Sequence, residues 1–459
     1  AKNHPTFNRE AIQVEIAEKT RDAFHGAEDW NLFSSPYYVA QDVLAGGAFA
    51  PESIDQLGLG IGSEKTFWNT GGRLSMAWNY EQTEQHGLQD IEIPNIISIP
   101  AGPNMFYQNK LSVTYTQPLL QNFRGNLDRL GFDMSQLSLE MVKIQELENN
   151  EDFLLSLSLQ FIEWALLTEQ KAIASERLEL ALQQLEQIQH KRTANLVDEI
   201  DVLRAQDAVH LAQQGTVLIS AQWVGKQFEL ATLLKAPDLK NQSPQFDLYA
   251  INEPQDPGNI IQQLKGKSRI LDIISKQSAQ LIRHEIATKE LTRAQLHLTT
   301  QVGLVGGSEK SGDAFGFDGK DLGMFLQYSY PLGNTKAVRE LEKVQLQVKQ
   351  INYAREEAEL SLESAARNLL IQIEELEKAL EINKQQLETG KLKTAAELKR
   401  YNQGRSDLSF VIQSQDNEQN AKLSYAQNAA LYHSLNFRLK AILDEINPGT
   451  GTDHDTERN

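Results

Sequence analysis

No cysteine occurs in the 459 residues of the chain. That absence removes disulfide frameworks, thiolate nucleophiles and cysteine-type zinc sites. Positive charge is scarce: 44 Lys+Arg stand against 62 Asp+Glu, a formal net charge of −18. A chain this acidic lacks the basic stripe on which a nucleic-acid binder depends, so no nucleic-acid partner is expected. Long apolar runs are missing too. The most apolar helical stretch, residues 153–167, is broken by Ser156, Ser158, Gln160 and Glu163. A membrane-spanning helix needs roughly 18 uninterrupted apolar residues. The five methionines do not cluster and the nine histidines are scattered, so neither a metal site nor a cofactor is expected. The N-terminus, AKNHPTFNRE, has no basic-then-apolar signal pattern and reads as a processed mature chain. Residues 58–66, GLGIGSEKT, look like a phosphate loop at a glance. They lack Gly immediately before Lys65, and no helix is expected to follow. With no catalytic constellation in sight, the chain is not expected to be an enzyme.

What is present falls into two similar halves. The first, residues 1–235, reads as a helix, strands over about 57–117 and a long helix pair over 121–235. A segment with Pro237, Pro244, Pro254 and Pro257 covers 236–258 and cannot be one helix. The second half, 259–446, repeats the order: a helix, strands over about 296–331 and a helix pair over 335–446. A polar tail, 447–459, closes the chain. Pro118 and Pro331 end the two strand regions 213 residues apart, and residues 202–207 (VLRAQD) match 411–416 (VIQSQD) at an offset of 209. Two landmarks at nearly equal offset indicate an internal duplication.

The strand regions alternate with period two. Trp68, Thr70, Leu74, Met76, Trp78 and Tyr80 are read as one face of a continuous strand, and Leu111, Val113 and Tyr115 as another. Leu298, Val302 and Leu304, then Leu322, Met324, Leu326, Tyr328 and Tyr330, follow the same rule. Such a pattern suits either a sheet on a soluble core or a membrane β-barrel, apolar outward and polar inward. On the barrel reading Leu74, Met76, Trp78, Leu111, Val113, Leu326 and Tyr328 face lipid. Trp68, Tyr80, Tyr107, Tyr115, Tyr328 and Tyr330 would form an interfacial girdle. Residues 30–43 and a turn at Thr70-Gly71-Gly72 offer two further strands, but the simpler reading is two strands per half. The helices are too long for a compact domain. Leu362, Ala366, Leu369, Ile373, Leu376 and Leu380 follow the 4-3-4-3-4 spacing of a coiled-coil seam. Ala365, Ala366, Ala421, Ala426, Ala429 and Ala430 allow close helix approach.

Three groups of residues give this order a family likeness. Gln117-Pro118-Leu119-Leu120 and Tyr330-Pro331-Leu332-Gly333-Asn334 stand where strands pass into long helices. Tyr401-x-x-Gly404 precedes Leu408-x-x-Val411-Ile412, and Asp201-Val202-Leu203-x-Ala205 occupies the corresponding place in the first half. Over about residues 5–446 the chain resembles the outer-membrane efflux protein family, the TolC-like channels. That resemblance implies a mainly α fold with β: a trimeric β-barrel in the outer membrane, continued by a long α-helical barrel in the periplasm, with two structural repeats per chain. It implies a homotrimer in contact with outer-membrane lipid in a Gram-negative bacterium, working with a periplasmic adaptor protein and an inner-membrane pump of RND or ABC type. Four strands per chain cannot close a barrel alone, whereas three chains would supply about twelve.

The likeness also implies site residues. Tyr401, Arg405 and Asp201 would latch the periplasmic gate, and Phe410, Gln413 and Asp407 would line its constriction. The family's carboxylates at the second turn would align with Phe410 and Gln413, neither of which is acidic. A ring of Phe410 would then gate by dewetting rather than by charge. Asn195, Leu196, Gly404 and Ser406 mark the adaptor-docking region. The function expected is a passive exit duct for efflux or type I secretion. The competing expectation is a soluble coiled-coil scaffold with small β modules.

Overall fold

The computed structural model describes residues 4–44, 50–88, 90–93, 97–100, 102–251 and 257–447. Residues 252–256 of the Pro-rich segment, and all of the polar tail beyond Asn447, lie outside the described residues. Among these residues lie eight strands: β1 Asn31–Asp42, β2 Ser53–Phe67, β3 Gly72–His86, β4 Ile91–Ile93, β5 Ile97–Ile99, β6 Met105–Pro118, β7 Gln295–Ser308 and β8 Gly319–Ser329. Seven α-helices accompany them: α1 Pro5–Ala23, α2 Leu130–Thr193, α3 Glu199–Leu233, α4 Pro257–Lys267, α5 Arg269–Leu291, α6 Thr335–Asn402 and α7 Leu408–Ile442. The chain forms two compact units that cut across the sequence halves. Among the described residues, one gathers 4–15, 141–275 and 353–447, the other 16–140 and 276–352.

The second of these units holds a six-stranded antiparallel sheet in the order β1-β2-β3-β6-β7-β8, and β4 pairs with β5 in a separate ladder. The expectation of two strands per half is therefore wrong for the first half, which gives four strands to the main sheet. Strand structure also begins at Asn31 rather than near residue 57. The supposed continuous strand through Trp68 is broken by a turn between Phe67 and Gly72, where Gly71 takes a φ of 70° that glycine tolerates. Residues 58–62 lie in mid-strand rather than in a phosphate loop. A Cβ at Gly58 would run into the Tyr37 ring, and one at Gly62 into the Phe33 ring. The alternate glycines thus make room for two aromatic side chains of the neighbouring strand.

Trp68 leaves the expected girdle altogether. It is buried in a collar where the sheet meets the helices, its ring 5.4 Å from His25 and 5.5 Å from Phe132, its backbone N–H bonded to Glu28 Oε1 at 3.0 Å. Tyr330 lies just beyond β8. The long helix expected from residue 121 starts at Leu130. Asn122 and Gly125, at φ 65° and 62°, hold the chain in left-handed turns before it. In the same collar Arg283 binds Asp133 at 2.6 Å.

The other unit is a helical bundle. Along α6, Ala366, Ile373 and Leu380 are buried, and Leu362, Leu369 and Leu376 pack against the same core, so the seam lies where its spacing puts it. Ala426, Ala429 and Ala430 supply the small surface opposite, whereas Ala365 is exposed. Helices α3 and α7 are both 35 residues long and start 209 residues apart, at Glu199 and Leu408. Matching left-handed caps end all four long helices: Asn195 and Gly404 after α2 and α6, Lys235 and Asp444 after α3 and α7. At each of the four caps a backbone bond of 2.9 Å reaches back five residues, from Leu196 to Lys191, Arg405 to Arg400, Ala236 to Ala231 and Glu445 to Lys440.

The last of these caps is clasped by charge. Arg269 bonds Glu148 at 3.3 Å and Glu151 at 2.5 Å, and its backbone N–H donates to Asp444 at 2.9 Å. Glu151 also accepts the Ile446 N–H at 3.0 Å. Glu148, Glu151 and Asp444 lie within 4.8 Å of one another around this one guanidinium. Burial, then Asp444, push Glu148 up to about 7, and burial also raises Glu151 and Asp444.

Two outcomes follow from these contacts. Gly125→Ala should destabilise the collar by more than about 2 kcal/mol, because the left-handed backbone alone costs roughly 1–2 kcal/mol and the new Cβ overlaps the Trp68 carbonyl. Thermal unfolding in detergent checks it. The folded carboxyl of Glu148 titrates above its ordinary value of 4.5. Its contribution to stability is therefore complete below the unfolded value and is lost as pH rises toward the folded one. Glu148→Gln should flatten the decline in unfolding temperature between about pH 5 and about pH 8.

Candidate functional site

The two helix turns of the bundle form one site. Ile188, Val202, Ala205 and Leu408 are buried together, with Leu185, Val197, Tyr401 and Ile412 packed on them. This apolar plug joins the α2–α3 turn to the α6–α7 turn. Around it lies a cleft of about 520 Å³ lined by Lys191, Asn195, Leu196, Asp201, Tyr401, Gly404, Ser406 and Asp407, among others.

Polar contacts tie the two turns across that cleft. Arg204 reaches Asp201 at 3.4 Å and Asp407 at 3.3 Å, bridging the first turns of α3 and α7. Asp407 caps α7 by accepting the Ser409 N–H at 2.7 Å and its hydroxyl at 2.6 Å. The Ser409 hydroxyl and N–H, with Arg204 beyond them, hold the Asp407 carboxyl below the usual range. Lys191 sits 4.3 Å from the Tyr401 ring centroid, a cation–π contact, and donates to Asn402 Oδ1 at 3.1 Å. The Ser406 hydroxyl donates to Glu397 at 3.0 Å. Tyr401 points a buried hydroxyl that has no hydrogen-bond partner among the described residues. Burial, then the charges of Asp201 and Asp407, push its phenol up.

Of the residues expected here, Tyr401, Asp201 and Asp407 come together. Arg405 does not join them: it is exposed and makes no ion pair among the described residues. Arg204 makes the bridge instead, and its place three residues after Asp201 on one helix face is the signal available in the sequence. Phe410 is 56% exposed and Gln413 is exposed. At the 209-residue offset Phe410 corresponds to Asp201, and Gln413 to Arg204. One turn therefore carries the ion pair where the other carries an aromatic and an amide. Leu196 is 73% exposed, and Gly404 stands open, with no atom within 4 Å of where a Cβ would sit.

The sheet is the second candidate surface. The register puts Leu57, Leu59 and Ile61 of β2 on one face with Leu74, Met76, Trp78 and Tyr80 of β3. Leu111 and Val113 of β6, Val302 and Leu304 of β7, and Leu322, Met324, Leu326 and Tyr328 of β8 continue that face. The opposite face carries Gln56, Asn79, Glu81, Lys110, Ser112, Thr114, Gln301 and Asp321. Three of the charges there are partnered: Lys110 meets Asp321 at 2.8 Å, and Glu81 accepts from Tyr37 at 2.5 Å. Toward one end of the apolar face, Trp78, Tyr80 and Tyr107 form a row with Phe315 stacked on it, 5.7 Å from Tyr80.

No family model matches the sequence, and no curated protein matches it either. Solved structures do match. The outer membrane protein VceC of Vibrio cholerae aligns over 96% of this chain and 93% of its own, with TM-score 0.67 and 10% identity. The CmeC outer membrane channel of Campylobacter jejuni covers 96% and 83%, with TM-score 0.64 and 10% identity. The open state of the MtrE outer membrane channel of Neisseria gonorrhoeae covers 98% and 88%, with TM-score 0.61 and 15% identity. The chain thus has the fold of these TolC-like channels over nearly its whole length.

Tyr401→Phe should leave the stability of the folded chain within about 1 kcal/mol, since no bond within the chain is lost. Leu408→Ala, in the plug beneath it, should cost about 2–5 kcal/mol. Denaturant unfolding of both variants distinguishes the two roles.

Proposed function

We propose that this chain is one subunit of a homotrimeric outer-membrane exit duct, a TolC-like channel of a Gram-negative bacterium. It would receive substrates from an inner-membrane pump of RND or ABC type through a periplasmic adaptor protein, for efflux or type I secretion. The observation that carries the reading is the sheet. Through the middle of its central strands one face is apolar and the other mainly polar, the pattern of a barrel wall between outer-membrane lipid and water. Leu74, Met76, Trp78, Leu111, Val113, Leu326 and Tyr328 belong to the lipid side. A soluble scaffold would need a second layer to cover that face, and leaves Leu322, Met324 and Leu326 at 82%, 72% and 66% exposure without a role.

Trimerisation is supported by apolar surface left open on the bundle. Within it α3 packs on α2, α2 on α7 and α7 on α6, through contacts such as Trp223–Thr168, Lys422–Glu176 and Asn428–Asn383. The outermost helices keep exposed stripes: Leu211, Leu218 and Phe228 on α3, and Tyr353, Leu360, Ile371, Ile382 and Leu392 on α6. Head-to-tail association of one copy's α3 with the next copy's α6 buries both stripes and closes a ring.

The paired helix turns are the gate. Tyr401, Asp201 and Asp407 meet there, with Arg204 as the bridging cation and Phe410 free to form an apolar ring. The unpartnered Tyr401 hydroxyl then has a bond to make with a neighbouring copy in the closed state. Asn195, Leu196, Gly404 and Ser406, exposed or at the lip of the cleft, form the adaptor-docking region. Passage needs no chemistry from this chain, and the pump supplies the energy.

Arg204→Ala in a trimer removes two exposed ion pairs from each copy. Only the Asp407 pair ties the two turns, since the Asp201 pair lies within α3; at roughly 0.2–1 kcal/mol per exposed pair, three such pairs amount to about 0.6–3 kcal/mol. That loss, at about 1.4 kcal/mol per tenfold, raises the open population on the order of 3- to 150-fold. Single-channel recording in planar bilayers should show the rise. Wild-type conductance in the variant would remove Arg204 from the gate, and no conductance from either protein would remove the duct.

A further inference from the structure

The main sheet ends in two unpaired strands, and their geometry goes beyond the reading just given while resting on its trimer. Strands β1 and β8 lie at opposite edges of the six-stranded sheet, and among the described residues no strand covers the outer side of either. They have 12 and 11 residues, enough to cross a bilayer as tilted strands of about 9–11 residues. In hydrocarbon an open edge is not viable, because each unpaired N–H or C=O costs several kcal/mol. Six strands are also too few to close on themselves, since the smallest membrane barrels have about eight.

We propose that β1 of one copy pairs with β8 of the next, so that the barrel has about eighteen strands, six from each of three chains. Every neighbour in the sheet is antiparallel, so with six strands β1 and β8 run in opposite directions and can meet antiparallel. Their faces also continue one another. Leu32, Pro36 and Tyr38 of β1 share the apolar face with Leu57, Leu59 and Ile61, while β8 presents Leu322, Met324 and Leu326 on that face. Pro36 removes one main-chain donor at most, and prolines within sheets are found at edge strands.

The β1–β2 hairpin is built as wall rather than as an appendage. It is registered on β3 from Ser53–His86 to Phe67–Gly72, and on the polar face Tyr37 and Gln56 both donate to Glu81 of β3. Barrel diameter grows roughly linearly with strand number, so eighteen strands give a barrel about one and a half times as wide as twelve. Barrels of 16–18 strands hold an aqueous channel rather than a packed core, and bulky cargo would not be throttled at the outer membrane.

The chain has no cysteine, so introduced pairs report cleanly. Ser35→Cys on the polar face of β1 is combined in turn with Phe325→Cys, Gln327→Cys and Ser329→Cys on the polar face of β8. A parallel set carries Ser75→Cys on the polar face of β3 with the same three partners. Detergent-solubilised trimers are oxidised and run on denaturing gels. Covalent dimers and trimers are expected with Ser35→Cys in at least one register and absent throughout the Ser75→Cys set. Cross-linking through Ser75→Cys but not Ser35→Cys would overturn the proposal: β3 would be the closing edge and the barrel twelve-stranded, with the trimeric duct intact. If neither set cross-links and the particle sediments as a monomer, the duct reading fails together with the eighteen-stranded barrel.

Discussion

An antiparallel sheet with two free edges is the constraint from which the rest of this structure follows. Every strand pair inside it is hydrogen-bonded in continuous register, yet β1 and β8 leave their outer main-chain groups without a strand partner among the described residues. In water such edges invite aggregation; in lipid they are prohibitive. On the membrane reading proposed above, the two edges would find each other in another copy. The same demand appears in the bundle, where α3 and α6 keep exposed apolar stripes. In the trimer proposed above, both units would meet a neighbouring copy on either side.

Duplication explains how one chain builds two matching helix turns. A constant 209-residue offset carries α3 onto α7 and Asn195 onto Gly404. The backbone plan of the two turns is repeated while the side chains are not. Asp201 and Arg204 in one turn answer to Phe410 and Gln413 in the other, so an ion pair in one stands where the other has an aromatic and an amide. The mixture yields a strut, Arg204 between Asp201 and Asp407, beside a free phenylalanine.

Much of this is legible in the sequence because the signals are periodic. The seam from Leu362 to Leu380 and the alternation from Leu111 to Tyr115 need only their spacing to be read. Strand β1 escapes for a physical reason. Phe33 and Tyr37 stand on its polar side, over Gly62 and Gly58 of β2, so neither strand alternates cleanly when read alone. The aromatics look misplaced and the glycines look like a phosphate loop; only their pairing shows one filling the space left by the other. At the turn, the shared parity of Trp68 and Leu74 argues for one strand running through Thr70-Gly71-Gly72, but Trp68 is not in a strand at all. Its ring serves the collar against His25 and Phe132, a long-range contact that local pattern cannot reveal. Family likeness points to Arg405, whereas Arg204 holds the bridge because a helix brings it round to Asp201.

Imaging of the detergent-purified particle tests the central claim most directly. A threefold ring whose membrane section is a single closed wall of about eighteen strands, continued by helices on the order of 100 Å long, is the expected result. A particle without threefold symmetry, or one whose sheet is covered by protein instead of detergent, would contradict it.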